Sequence, residues 1–93
     1  MAFKRFAEAV WHGDLQGGKG TLSTPQSGLF SDQNYSFKTR FGDEKGTNPE
    51  ELLATAHAGC FSMALSAVMT KAGVAPETIQ TRAEVTMEPG MDP

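Results

Sequence analysis

The chain has 93 residues, 39% of them hydrophobic and 20% charged, with 10 glycines and 5 prolines, the make-up of one ordinary globular domain rather than a disordered or fibrous protein. A formal net charge of -3, with its 8 basic residues scattered, leaves no electrostatic footprint for a phosphate backbone, so nucleic acid is not an expected partner. A single cysteine excludes a disulfide framework, and neither a signal peptide nor a stretch approaching a membrane span is read from the sequence; the expectation is a cytoplasmic protein with no membrane contact.

The first predicted strand covers 3–12, where an imperfect alternation puts Phe3, Ala7, Ala9 and Trp11 on one face. "GDLQGGKG", with four glycines in eight residues, predicts a hairpin turn into a second strand from about Thr21 to Thr24. It resembles a phosphate loop only superficially, lacking both the full spacing and the Gly-Lys-Ser/Thr ending. Pro25 to Gly28 supplies another turn. "NYSFKTRF" then alternates cleanly, Tyr35, Phe37, Thr39 and Phe41 against Ser36, Lys38 and Arg40, and predicts a strand.

A helix is predicted from about Pro49 to Ala72. Asn48 can cap it, Pro49 suits its first position, the glutamates favour the positive end of its dipole, and Lys71 and Gly73 are stop signals. The interior "LLATAHAGCFSMALSAVM" is nearly free of charge on every face, the pattern of a helix buried all round. The strands of one short chain cover one side of it, so a second subunit or a further C-terminal half must cover the rest. "TRAEVTME" again alternates, with Ala83, Val85 and Met87 facing opposite to Arg82, Glu84, Thr86 and Glu88, and predicts a last strand before a turn at "PGMDP".

Cys60 lies inside the predicted helix. A lone cysteine in an apolar stretch is most often a small hydrophobe. It becomes a nucleophile only as the thiolate, and a free cysteine, with a pKa of about 8.5, needs a nearby cation to ionise at neutral pH. Arg40, Lys45 and His57 are the candidates. Arg40 has the best chemistry, since a guanidinium stays charged and its planar fork can bond a thiolate and a carboxylate together, with Glu50 to hold it. Against this, an arginine ending a strand is commonly solvated, and Glu50 can complete a capping box with Thr47. His57, three residues before Cys60, is poorly aimed for proton transfer and is read as packing or as supporting the residues that do the chemistry; with His12 the only other histidine, no metal site is expected. The stripe of Met63, Leu65 and Met69 reads as core; Trp11 and the six phenylalanines are candidates for an apolar pocket, with core their more common fate.

Two stretches, "WHGDLQGGKGTLST" and the more specific "YSFKTRFGDEKGTNPEELLATAHAGCFSMALS", resemble the OsmC/Ohr family of thiol peroxidases, in particular its OsmC branch. The resemblance runs from about Trp11 to Ser66 and continues more weakly to the end. It implies an α+β fold, antiparallel strands followed by a long buried central helix, in an intertwined homodimer. It implies a cysteine peroxidase that reduces organic hydroperoxides, and peroxide more weakly, in oxidative and osmotic stress defence, without a cofactor and with an external thiol as reductant. The family's peroxidatic cysteine falls on Cys60, its thiolate-stabilising arginine on Arg40 and its glutamate on Glu50.

Members of the family run on past this length and carry a resolving cysteine that has no counterpart here. The 1–93 segment is therefore expected to be a single OsmC-like domain incomplete at its C-terminus. The alternative is a non-catalytic OsmC-fold domain for dimerisation or small-molecule binding, with Cys60 inert. One geometric condition attaches to the catalytic reading. On a straight helix Glu50 and Cys60 stand roughly 15 Å apart on different faces, so a set of three within one chain requires a break between Leu53 and Gly59, which would also place Cys60 in the first turn of a helix.

Overall fold

The computed structural model describes residues 2–88, and the chain divides after Asn48 into two compact units. The first unit holds three strands, β1 (Glu8–His12), β2 (Lys19–Ser23) and β3 (Gln33–Tyr35), and a short helix, α1 (Phe37–Phe41). The second is built on one long helix, α2 (Pro49–Lys71), followed by an extended tail. Strands and helix in this order give an α+β chain, as expected.

The three strands form an antiparallel sheet in the order β1-β2-β3. The glycine-rich segment is the hairpin turn it reads as: Gly13 takes a φ of 98°, the Gly18 amide donates to the Asp14 carbonyl at 2.9 Å, and His12 pairs with Lys19. Gly20 sits between Trp11 on one neighbour and Tyr35 on the other. A Cβ there would meet both rings at 2.5 Å, so the two aromatics close over the middle strand only because that position is bare. Trp11 and Tyr35 lie 5.4 Å apart between ring centroids.

β1 is shorter than the 3–12 strand expected from alternation. Its partner β2 ends at Ser23, opposite Glu8, and the chain then turns away at 24–30. The Gln26 side chain takes over where backbone pairing stops, its Oε1 accepting from the Phe6 amide at 3.0 Å and its Nε2 donating to the Lys4 carbonyl at 3.1 Å. The turn is fastened by the Gly28 amide on the Thr24 carbonyl, with Gly28 at a φ of 73°.

The clean alternation at 35–41 misleads. Only Tyr35 belongs to a strand; from Phe37 the chain is helical. Ser36 caps that helix, its Oγ accepting from the Thr39 amide at 3.3 Å while the Ser36 amide donates to Thr39 Oγ1 at 2.8 Å. β2 pairs with β3 only as far back as Gly20, so residues beyond Tyr35 have no backbone ladder, and the reciprocal cap wins. The predicted strand at 81–88 is likewise not formed among the described residues. The segment stays unpaired, although the ion pair between Arg82 and Glu84 keeps two alternate residues on one side.

α2 begins on Pro49, carries Glu50 and Glu51 in its first turn and Lys71 in its last, within one residue of expectation. It ends in a Schellman motif. The Val74 amide reaches back to Met69 O at 2.8 Å and the Gly73 amide to Thr70 O at 2.9 Å, with Gly73 at a φ of 90°. The anticipated break between Leu53 and Gly59 is absent: the helix is continuous over 23 residues. Gly59 alone costs about 1 kcal/mol of helix propensity relative to alanine, too little to interrupt so long a run.

α2 has no buried residue in the chain by itself, so the burial expected of it is not supplied from within. Leu53, Phe61, Met63 and Val68 are each more than half exposed. The expectation that no segment approaches a membrane span is also corrected, because α2 is long and apolar enough for one by length and composition. Thr55 and Ser62 within it return their hydroxyl protons to the carbonyls of Glu51 and Ala58, which lets polar side chains sit in apolar surroundings.

Candidate active site

The three residues expected to carry the chemistry fall on two elements. Arg40 stands on α1 in the first unit, half-buried. Glu50 is in the first turn of α2 and Cys60 is near its middle, both in the second unit. Because α2 is unbroken, these two are ten residues apart, roughly 15 Å along the axis, and they point to different faces. Within one chain, therefore, Glu50 and Cys60 do not meet. Nor does Cys60 lie in a first helical turn, where the favourable field of a helix N-terminus is concentrated.

Cys60 is a free, exposed thiol. His57, one turn before it, is exposed as well, so within the single chain it packs in no core. The neighbourhood is apolar: Phe61 is 51% exposed and Met63 78%, and Gly59 leaves open space where a side chain would stand. The half-buried positions Ala54, Ala58, Ser62, Ser66 and Met69 form one stripe at three- and four-residue spacing. Ser62 is tied from that stripe to the tail by a 2.6 Å hydrogen bond with the Thr81 hydroxyl.

Arg40 has a built environment in the first unit. It lines a pocket of about 210 Å³ together with Trp11, Leu15, Tyr35, Phe37 and Phe41. Its guanidinium carbon stands 4.9 Å from the Phe41 ring centroid, within cation–π range, and the Phe37 and Phe41 rings are themselves 4.9 Å apart. The Trp11 indole donates from Nε1 to the Gly13 carbonyl at 3.1 Å, which fixes the ring against the hairpin turn.

Alternation had sent Arg40 to the face opposite Phe37 and Phe41. A helix does the reverse, since residues three and four apart share a face, and so α1 gathers Phe37, Arg40 and Phe41 into one wall. The missed signal was "SFKT", a cap whose third helical residue is threonine rather than the more familiar glutamate or glutamine. Leu15, inside the glycine-rich turn, carried no signal at all. Of the candidates for an apolar pocket, Trp11, Phe37 and Phe41 line this one, whereas Phe3, Phe6 and Phe61 are exposed.

A family model described as OsmC-like protein matches residues 42–92. Two curated relatives, both named Peroxiredoxin OsmC, from Escherichia coli (strain K12) and Shigella flexneri, are each 51% identical over 88 residues. The alignment covers 95% of this chain and 61% of each relative, so the chain spans less than two thirds of the length of the curated relatives it matches. Glu50 and Cys60 fall inside the stretch matched by the family model, and Arg40 falls just before it. With more than half of its residues matched, the chain belongs to the OsmC-like protein family.

Proposed function

We propose that this chain is the thiol-bearing part of a cysteine peroxidase that reduces organic hydroperoxides, and hydrogen peroxide more weakly, in oxidative and osmotic stress defence. The observation that carries the reading is Cys60, an exposed free thiol inside the stretch matched by the family model. Its thiolate attacks the distal oxygen of the hydroperoxide. A sulfur–oxygen bond forms, the oxygen–oxygen bond breaks, and the departing alkoxide takes up the proton that the thiol gave up. Sulfur is oxidised by two electrons to sulfenic acid and the peroxide is reduced to alcohol and, overall, thiol plus hydroperoxide gives sulfenic acid plus alcohol. An external thiol then condenses with the sulfenic acid, releasing water, and a second one restores Cys60.

Arg40 is the cation that favours the thiolate and orients the substrate. Its aromatic pocket supports the preference for organic hydroperoxides, since an apolar substituent gains from contact with Trp11, Tyr35 and Phe41 and a bare peroxide does not. Glu50 holds the guanidinium. A second copy of the chain covers the bare face of α2, and the continuous helix gives that dimer a chemical task. Glu50 and Cys60 of one chain are too far apart to share a guanidinium, so each complete site takes its glutamate from one chain and its cysteine from the other. A reducing compartment, the cytoplasm, suits the free thiol.

Stoichiometric cumene hydroperoxide tests the reading. Intact mass should rise by one oxygen, the modification should map to Cys60, and one cumyl alcohol should appear per chain. A thiol still unmodified after prolonged exposure overturns it in favour of a non-catalytic dimerisation or binding domain.

A further inference from the structure

The first unit contains a polar knot for which the chemistry above has no use. Thr39 is the one side chain that is buried among the described residues, at 8% exposure. Its hydroxyl accepts from the Ser36 amide at 2.8 Å and donates to the Ser36 carbonyl at 3.0 Å. Its own amide donates to Ser36 Oγ at 3.3 Å, and its carbonyl accepts from Asn48 Nδ2 at 3.1 Å. Ser36 Oγ in turn donates to Glu44 Oε2 at 3.1 Å. The loop between α1 and Asn48 lies against the Thr39 methyl so closely that a Cβ on Gly46 would stand 3.1 Å from it.

This knot encloses a helix that cannot hold itself. α1 has 5 residues, far below the length at which a helix is stable in water, and Thr39 is its one buried side chain, with Phe37 and Arg40 half-buried. Its geometry is therefore set by the cap at one end and the loop laid over it. The residue next to Thr39 is Arg40. A one-turn helix turns as a unit, so whatever fixes Thr39 also fixes the direction in which the guanidinium leaves the backbone.

We propose that Thr39, acting with Ser36, is a positioning residue for Arg40, holding the guanidinium in the aromatic pocket where the reaction of Cys60 with an organic hydroperoxide uses it; this rests on the role given to Arg40 above. An ordinary stabilising cap would act on the fold as a whole. A positioning cap acts through Arg40 alone, and the two are separable.

The test reads the second-order rate of Cys60 oxidation by cumene hydroperoxide in the full chain, with far-ultraviolet circular dichroism as a check on folding. Thr39→Val keeps the shape and removes the hydroxyl; it should slow the reaction by about tenfold, the scale of a lost helix cap. Thr39→Ser keeps the hydroxyl and should react within about twofold of the parent. Arg40→Met should be slower than either, and adding Thr39→Val to it should cost nothing more. Ser36→Ala provides the same comparison should Thr39→Val fail to fold. An unchanged rate in a folded Thr39→Val chain overturns the inference while leaving Arg40 in place. Equal losses on the parent and Arg40→Met backgrounds overturn it too, because they mark a merely structural cap. If Arg40→Met reacts at the parental rate, the role of Arg40 falls, and the inference with it.

Discussion

The two units use the same stock of residues in opposite ways. In the first, 48 residues with a modest apolar content close on themselves through hairpin, turn and cap, and the one buried side chain among the described residues is a threonine satisfied on every side. In the second, an apolar helix leaves Leu53, Phe61, Met63 and Val68 exposed while the polar Ser62 and Ser66 are half-buried. Apolar content by itself therefore does not make a core. A helix that is apolar on all faces needs partners on all faces, and within the described residues α2 does not have them.

The largest effect expected from testing this comparison is on chemistry. If the second unit supplies the nucleophile and the first supplies the pocket, Cys60→Ser removes hydroperoxide consumption altogether while leaving the circular dichroism spectrum unchanged, since serine is near in size but a far weaker nucleophile. Turnover retained in that variant, followed as loss of cumene hydroperoxide with an added dithiol, would sink the mechanism.

Next in size is complementation. Cys60→Ser and Glu50→Gln chains, each nearly inactive alone, should recover activity when unfolded together and refolded as a mixture. About half of the dimers are then mixed, and each mixed dimer holds one complete site, so roughly a quarter of the parental rate is expected. A mixture no more active than its components would put Glu50 and Cys60 outside any shared site, and Glu50 would remain a first-turn carboxylate that supports the helix.

A smaller effect is expected on assembly. Val68, 66% exposed on α2, should lie under the second copy. Val68→Lys would bury an unpaired ammonium, at a cost of several kcal/mol, and weaken dimerisation by at least about a hundredfold. Sedimentation at low micromolar concentration should show two chains in the parent and one in the variant. Two chains in both would place Val68 outside the interface.

How far the sequence disclosed all this follows the same division. The helix was legible nearly to the residue, because Pro49, the two glutamates and Gly73 are local signals whose physics acts within one turn. The β1–β2 hairpin was legible for the same reason. Strand limits were not, because a strand ends where its partner ends: nothing in residues 3–7 says that β2 stops at Ser23, and nothing in Phe37–Phe41 says that the ladder stops at Tyr35. The candidate site shows the cost. Cys60, Arg40 and Glu50 were candidates by their chemistry and again by resemblance, but the wall around Arg40 depended on taking 37–41 as helix rather than strand. The proposed break in α2 was an inference from function to form, and continuity of the helix reversed it.

One substitution, made once in each unit, separates the two regions most finely. At Gly20 a methyl group would stand 2.5 Å from both the Trp11 and Tyr35 rings. Neither ring can withdraw freely, since Trp11 is hydrogen-bonded to Gly13 and both line the Arg40 pocket. Gly20→Ala should therefore cost about 1–3 kcal/mol, as overpacking does in a tight site. At Gly59 the space around the missing Cβ is open, and only helix propensity acts. Gly59→Ala should stabilise the helix by about 1 kcal/mol. For a domain of this size that is a rise of roughly 4–8 °C in melting temperature, read from dilute protein. Repeating the melt at a hundredfold higher concentration asks what lies against Gly59 in the proposed dimer. A gain that persists puts the second copy elsewhere on α2, whereas a gain that reverses puts its backbone against Gly59, beside Cys60. A fall in dilute protein would break the comparison itself, because it would mean that the space at Gly59 is filled within the single chain.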